Sequence, residues 1–135
     1  MRRLGIDPGQ RRVGLALAED EMASPLKTLL REGDAALIAL LAAEIRALDV
    51  GEVVLGLPVR MDGREGPEAK RARVLAKAIT AASGVPVQLW DERMTTVAAE
   101  RELRGVGMKG AKKKAVLDQA AATLLLQSYL DAQHR

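Results

Sequence analysis

The spacing of strand-like segments near the start of the chain most restricts the possible folds. The first, at 2–7, ends in Asp-Pro-Gly, a strong turn signal, and the second follows at once, at 13–19. A third segment, at 23–30, contains Pro25, which a strand at the edge of a sheet tolerates. These spacings predict three consecutive strands that pair in antiparallel fashion.

The rest of the chain alternates between helical and strand patterns. Residues 52–57 are nearly continuously apolar, which is typical of a strand buried on both faces, and 85–90 form the next predicted strand. Apolar spacing and end signals predict four helices. They are 35–48, with Asp34 as cap and Ala35, Ile38, Leu41, Ala42, Ile45 and Leu48 buried; 67–83, between Pro67 and Gly84, with Ala72, Leu75, Ala76 and Ile79 buried; Thr95 or Thr96 to Leu103; and 112–132.

This order of elements predicts an α/β fold. Its five-stranded mixed sheet begins with three antiparallel strands and continues with parallel fourth and fifth strands, and helices cover both faces. A chain of 135 residues has the usual length of one domain, so we predict a single domain over residues 1–135.

The composition excludes several kinds of active site. The chain has no cysteine, which excludes disulfides, thiolate catalysis, iron–sulfur clusters and cysteine zinc sites. Its one histidine, His134, argues against histidine zinc sites and Ser-His-Asp catalysis. Trp90 and Tyr129 are the only aromatic residues, so a base-stacking platform is poorly supported. No apolar run approaches the ~18 residues of a membrane span, so we expect no membrane partner.

Four carboxylates stand out by their positions. Asp7 ends the first strand, Asp91 and Glu92 end the fifth, and Asp118 lies in the last helix. The carboxyl ends of strands in such a sheet open onto one crevice, and Asp118 joins them if its helix crosses that edge. The small residues at 121–122 would let the helix approach closely.

Carboxylates that converge without cysteine or histidine favour a hard cation, Mg²⁺ or Mn²⁺. Two such ions about 4 Å apart activate a water and stabilise the leaving oxygen of a phosphodiester. Structural roles remain open: Asp7 as a turn residue, Asp91 or Glu92 as a helix cap or partner of Arg93, and Asp118 as a partner of Lys114.

The net charge of +3 is unevenly distributed. Residues 1–58 carry 7 basic and 9 acidic side chains, and 59–135 carry 14 and 9. The segment 104–114 has five basic residues, no acidic residue and three glycines. This pattern favours a polyanionic partner, and the alternative is a solvated loop.

Four motifs carry a family resemblance. They are GIDPGQRRVGLA at 5–16, GLPVRMDG at 56–63, DERMTT at 91–96 and LDQAAA at 117–122. Together they resemble the YqgF (RuvX) family of the RNase H-like superfamily, which is related to the RuvC Holliday junction resolvases. The resemblance implies an RNase H-like fold and a cytoplasmic nuclease that processes the 5′ end of pre-16S ribosomal RNA.

The resemblance also implies site residues. The acidic positions of the family fall on Asp7, on Asp91 and Glu92, and on Asp118. Enzymes of the RuvC type place a glutamate at the end of the fourth strand, where this chain has Gly56-Leu57-Pro58. A fifth-strand acid must substitute, and we favour Glu92, with Asp91 holding Arg93 or a backbone amide.

The resulting hypothesis is a Mg²⁺- or Mn²⁺-dependent endonuclease that acts on structured RNA, with Asp7, Glu92, Asp91 and Asp118 around the metal. The predicted phosphate contacts are Arg11, Arg12, Arg60, Arg64, Arg93, Arg104, Lys109, Lys112, Lys113 and Lys114. One alternative is a junction-resolving endonuclease that acts on four-way DNA. Another is a nucleic-acid-binding assembly factor without cleavage activity. We expect a monomer or a weak homodimer.

Overall fold

A computed structural model describes residues 1–95 and 111–134; for residues 111–113 it describes the backbone and not the side chains. The strands are β1 (Arg2–Pro8), β2 (Arg12–Ala18), β3 (Ala23–Leu30), β4 (Val50–Leu57) and β5 (Val87–Asp91). The helices are α1 (Asp34–Ala47), α2 (Pro67–Ser83) and α3 (Ala111–Gln133), and a 3-10 turn covers Glu92–Met94. The helix predicted to end at Leu103 falls in 96–110, outside the described residues.

The strands form one mixed sheet in the order β3-β2-β1-β4-β5. β1 pairs with β2 and β2 with β3 in antiparallel fashion, whereas β4 is parallel to both β1 and β5. The predicted α/β fold is therefore confirmed, including its three antiparallel strands followed by two parallel ones. β1 lies at the centre of the sheet, so the residue that ends it has a strand on each side.

The ends of the helices show which local signals operate. α2 begins at Pro67 and is closed by Gly84 in the left-handed conformation (φ 79°), as predicted. The prediction for α1 was wrong in detail, because Gly33 is the N-cap and Asp34 is the first helical residue. The Asp34 carboxylate instead accepts a hydrogen bond from Arg31 at 2.9 Å. The first turn of α1 is consequently exposed at Ala35, and burial begins at Leu37.

The sheet has two different faces. The face toward α1 and α2 carries large aliphatic side chains, and its buried cluster includes Leu4, Ile6, Val13, Leu15, Leu41, Val53, Leu55, Leu75 and Ile79. The face toward α3 carries small ones, with Ala16, Ala18 and Val54 packed against Ala122, Leu126 and Leu130. Within the described ranges, no helix has the length and apolar character to cross a membrane.

Glycines on the second face let α3 pack directly against the sheet. A Cβ atom on Gly5 would lie 2.8 Å from the Leu126 Cβ and 3.2 Å from the Ala122 carbonyl oxygen. Ala121 and Ala122 are fully buried, which agrees with the predicted close approach of this helix. α3 therefore lies across the central strands with backbone near backbone, and its residues meet the sheet at fixed positions.

Candidate metal and nucleic-acid site

Asp7 lies near the carboxyl end of the central strand and is only 3% exposed. Side chains alternate along a strand, so Asp7 points to the same face as Gly5, which is the face covered by α3. Across the antiparallel ladder Asp7 pairs with Gly14. The sequence that ends β1 therefore buries a carboxylate beneath a helix instead of leaving it in a surface turn.

Glu92 reaches the same face from the other side. It begins the 3-10 turn after β5 and is 8% exposed. Its Oε1 lies 2.9 Å from the position that a Cβ on Gly56 would occupy. Ile6 pairs with Leu55, so Asp7 and Gly56 are the next residues on two neighbouring strands, which are about 4.8 Å apart.

These two carboxylates belong to one local arrangement. Asp7 and Glu92 are the buried charged residues of the described part of the chain. Burial of a carboxylate is costly unless hydrogen bonds or positive charge compensate it, so two at adjacent positions indicate a specialised region. Both take part in polar interactions within the protein.

Asp91 has a different role from Glu92. Its carboxylate accepts the backbone N–H of Arg93 at 2.8 Å, which caps the 3-10 turn, and the Arg93 guanidinium at 2.7 Å. The side-chain hydrogen bond from Arg93 is the main reason that the pKa of Asp91 lies below its ordinary value, and burial acts in the opposite direction. The structure thus shows Asp91 holding both a backbone amide and Arg93, while Glu92 is turned inward.

Asp118 flanks Asp7 on the side opposite to Glu92. Its backbone oxygen lies 2.0 Å from the position that a Cβ on Gly14 would occupy, so this residue sits directly over the ladder partner of Asp7. Its carboxylate, however, accepts a hydrogen bond from the Arg12 Nε at 2.7 Å.

Of the four predicted ligands, Asp91 is engaged by Arg93, and the other three share one edge of the sheet without forming a cluster of side chains. Among residues 1–95 and 111–134, no group of three acidic or histidine side chains is arranged to hold a metal ion. The ion pair with Arg12 explains part of this, because it engages a carboxylate oxygen of Asp118. A metal site at Asp7, Glu92 and Asp118 stays a prediction.

Basic side chains surround this edge. Arg60 and Arg64 are exposed in the loop after β4, and Arg64 pairs with Asp62 at 3.6 Å. The Arg93 Nη1 lies 3.8 Å from the position of a Cβ on Gly63, which places this guanidinium beside the same loop. The loop and the 3-10 turn thus hold three arginines near this end of the sheet, two of which are paired with aspartates: Arg64 with Asp62 and Arg93 with Asp91.

The remaining predicted phosphate contacts are distributed differently. Arg11 is exposed in the hairpin between β1 and β2, and Lys114 is exposed near the start of α3. Arg12 is partly buried against Asp118 instead of being free in solvent. Arg104 and Lys109 lie outside the described residues, and so do the side chains of Lys112 and Lys113.

The sequence prediction missed the glycines that make room for the site. Gly14 and Gly56 lie on either side of Asp7, beneath Asp118 and Glu92 respectively. An isolated glycine in a strand often marks a close approach by another backbone or group, and that signal was present at both positions.

A large cavity of the described chain lies elsewhere. It has a volume of about 1060 Å³ and is found at the opposite end of the sheet. Its lining includes Met1, Glu19, Asp20, Glu21, Met22 and His134. It contains none of the predicted site residues, so size alone does not identify the site.

Comparisons with known proteins identify the family of this chain. The family model described as "RuvX: Holliday junction resolvase" matches residues 1–132. A protein of Anaeromyxobacter sp. named "Putative pre-16S rRNA nuclease" is 43% identical, over 99% of this chain and 99% of that protein. One of the same name from Kineococcus radiotolerans is 49% identical, over 97% of this chain and 72% of that protein.

Two solved structures share the fold. Thermus thermophilus RuvC, in complex with a Holliday junction substrate, has a TM-score of 0.63 at 21% identity, and the match covers 98% of this chain and 96% of that chain. The fowlpox virus Holliday junction resolvase has a TM-score of 0.57 at 16% identity, with 98% and 99% covered. The fold is thus that of RuvC-like resolvases, as the RNase H-like prediction stated.

Proposed function

The chain belongs to the RuvX family, and from this premise we propose that it is a divalent-metal-dependent endonuclease that processes the 5′ end of pre-16S rRNA. The names of its relatives support the substrate, and the family supports phosphodiester hydrolysis. One observation carries the proposal: Asp7 and Glu92 are buried carboxylates at the ends of neighbouring strands, and the loop that follows β4 exposes Arg60 and Arg64. That combination separates the reacting centre from the surface that holds the phosphate backbone. Processing of a ribosomal RNA precursor would take place in the cytoplasm.

Mg²⁺ or Mn²⁺ fits the donors at this edge. The available side-chain ligands are carboxylate oxygens, which hard divalent cations prefer. The one histidine pairs with Glu21 at 3.3 Å, at the far end of the sheet. Asp7 and Glu92 would hold the ion, and Asp118 would join them when its side chain turns from Arg12. A bound cation would supply Lewis acidity and an activated water.

The chain's own residues hold the substrate. Arg60 and Arg64, in the loop after β4, and Arg93, beside that loop, would contact phosphates on the Glu92 side, and Arg11 and Lys114 would do so on the Asp118 side. Arginine suits this task because its planar fork binds phosphate oxygens in pairs. With only two aromatic residues in the chain, recognition would rest on backbone shape and charge.

A cleavage assay tests the proposal when RNA binding is measured separately. The substrate is a 5′-labelled RNA that spans the leader and the mature 5′ end of 16S rRNA, with Mg²⁺ or Mn²⁺ added. We expect Asp7→Asn and Asp118→Asn to lose cleavage by at least about a hundredfold, because a ligand charge is removed, and to retain RNA binding. The matched control is Asp131→Asn, since Asp131 is an exposed acid farther along α3.

Two results would contradict the proposal. Full cleavage by both acidic variants would remove these residues from the metal site. Binding of RNA by the wild-type protein without any metal-dependent cleavage would instead favour an assembly factor.

A second candidate is cleavage of four-way DNA junctions, which the family description favours. Such an enzyme must cut two strands and would normally act as a dimer. Parallel assays with a four-way DNA and with the pre-rRNA, together with the mass in solution, separate the two functions. We expect faster cleavage of the RNA than of the four-way DNA. We expect a solution mass equal to that of a monomer, or one that rises with protein concentration as a weak homodimer forms.

A further inference from the structure

The ion pair between Arg12 and Asp118 joins two residues with different predicted partners. Arg12 begins β2 and was expected to contact phosphate, whereas Asp118 was expected to bind metal. In the structure the Arg12 Nε donates to the Asp118 Oδ2 at 2.7 Å, and the two side chains are 28% and 18% exposed. Partial burial makes such a charge-assisted hydrogen bond stronger than an ordinary surface ion pair.

The backbone of Asp118 is fixed while this pair forms. Its carbonyl oxygen is packed over Gly14, which has no side chain to separate helix from sheet. One turn earlier, the Thr28 hydroxyl donates to the Ala115 carbonyl oxygen at 2.5 Å and ties α3 to the edge strand. The Asp118 carboxylate can therefore change partner by rotation of its side chain, without a shift of the helix.

A metal ion and the Arg12 guanidinium compete for the same carboxylate. The Asp118 backbone lies over Gly14, the ladder partner of Asp7, so an Asp118 carboxylate that turned toward Asp7 would approach the predicted metal position and leave Arg12. The guanidinium that is released needs a new anion. A substrate phosphate meets that need, because arginine binds phosphate at least as well as carboxylate.

We propose that Arg12 couples substrate binding to completion of the metal site. Before substrate binds, Arg12 holds the Asp118 carboxylate; a substrate phosphate then takes the guanidinium, and Asp118 joins Asp7 and Glu92. This inference rests on the proposed nuclease function. Thermodynamic linkage requires the coupling to be reciprocal, so RNA strengthens metal binding and metal strengthens RNA binding by the same factor. Arg12 acts here as a positioning residue for Asp118.

Mn²⁺ binding measured by electron paramagnetic resonance tests the coupling without reliance on activity. The variants are Arg12→Gln, which removes the charge, and Arg12→Lys, which keeps the charge but not the planar fork. The matched control is Arg2→Gln, which breaks an arginine–carboxylate pair with Glu19 (3.1 Å) at the other end of the sheet. Each protein is titrated with Mn²⁺ twice, once alone and once in the presence of a short RNA hairpin. The Mn²⁺ that the hairpin itself binds is subtracted, and a gel shows whether the hairpin stays intact.

The expected results differ between the two titrations. With Mn²⁺ alone, Arg12→Gln binds about tenfold tighter than the wild type, because the competing guanidinium is absent, and Arg12→Lys lies between them. The hairpin tightens Mn²⁺ binding to the wild type and to Arg2→Gln by about tenfold. It leaves the affinity of Arg12→Gln unchanged.

Two kinds of failure can be distinguished. If Asp7→Asn abolishes Mn²⁺ binding but Arg12→Gln binds no tighter than the wild type, or responds equally to the hairpin, the coupling is overturned and the nuclease proposal survives. If Asp7→Asn binds Mn²⁺ as the wild type does, the metal site itself falls, and the coupling falls with it.

Discussion

Substitution of Gly14 by alanine should separate α3 from the sheet at the proposed site. The added Cβ would lie 2.0 Å from the Asp118 carbonyl oxygen and 2.4 Å from its carbon. Ordinary contact begins at 3.4 Å, so the helix backbone must retreat by about 1.4 Å at this point. The obstructing atoms belong to helix backbone, which cannot rotate away as a flexible side chain does.

The cost follows from what α3 buries. Overpacking of a close-packed interior costs about 1–3 kcal/mol and sometimes more. Ala122, Leu125 and Leu126 are almost fully buried on this helix, so a retreat loosens several contacts at once. We therefore expect a loss of about 3 kcal/mol in the free energy of unfolding, which lowers the melting temperature by roughly 10 °C.

Urea denaturation followed by tryptophan fluorescence is the appropriate assay. Trp90 is the single tryptophan, and it packs edge-on against Tyr129 of α3 with ring centroids 5.4 Å apart. Its indole N–H also donates to the Ser128 hydroxyl at 3.2 Å, so its emission reports the docking of the helix. The control is Gly51→Ala, which makes the same exchange in a strand, but there the three nearest atoms to the added Cβ all belong to the flexible side chain of Met1.

The free energies of unfolding of the two variants show whether close packing against Gly14 holds α3 in place. Gly51→Ala should change the free energy of unfolding by less than about 1 kcal/mol, because Met1 is exposed and can move. If Gly14→Ala is no less stable than Gly51→Ala, close packing between helix and sheet does not hold Asp118 in place.

Three further predictions concern single side chains. In a Mn²⁺ titration followed by electron paramagnetic resonance, Glu92→Gln should weaken Mn²⁺ binding at least about tenfold, whereas Asp91→Asn should leave it unchanged. If Asp91→Asn weakened Mn²⁺ binding and Glu92→Gln did not, Asp91 would be the ligand. Because the pKa of Asp91 is lowered by Arg93, the wild type should exceed Asp91→Asn in stability by up to about 1 kcal/mol above pH 5. That advantage should shrink below about pH 4 in urea titrations, and a constant difference down to pH 3 would contradict it. Gln127→Ala removes the acceptor of the Ala23 backbone N–H (2.9 Å) and should cost about 1 kcal/mol, with faster hydrogen exchange at that amide.

Much of the fold was predictable because it depends on local and repeated signals. Three short strand-like segments with a turn signal between the first two predicted the antiparallel strands, and the Pro67 and Gly84 signals predicted both ends of α2. The start of α1 was predicted to within one residue, but the capping role of Asp34 was wrong, because its side chain pairs with Arg31 and Gly33 is the N-cap. A cap and an ion pair use the same carboxylate, and only the packed structure decides between them.

The candidate site was less predictable because the partner of each carboxylate is again decided by the packed structure. The order of elements was enough to place Asp7, Glu92 and Asp118 at one edge of the sheet. It did not show that Asp118 pairs with Arg12, since these residues are separated by 106 positions along the chain. Long-range partners depend on the register of α3 across β2, and no local pattern specifies that register.

Glycine explains how α3 and the 3-10 turn come close to the end of β1. With a side chain at position 14 or 56, the sheet would hold α3 and the 3-10 turn farther away, and Asp118 and Glu92 would lie farther from Asp7. Glycine in a strand costs roughly 0.5–1 kcal/mol of local stability relative to alanine. Gly14 and Gly56 therefore exchange intrinsic strand stability for close approach at the two positions that flank Asp7. Alanine would raise the intrinsic strand propensity at both positions, but its Cβ would meet the Asp118 backbone at position 14 and the Glu92 side chain at position 56, so the close approach is the larger effect.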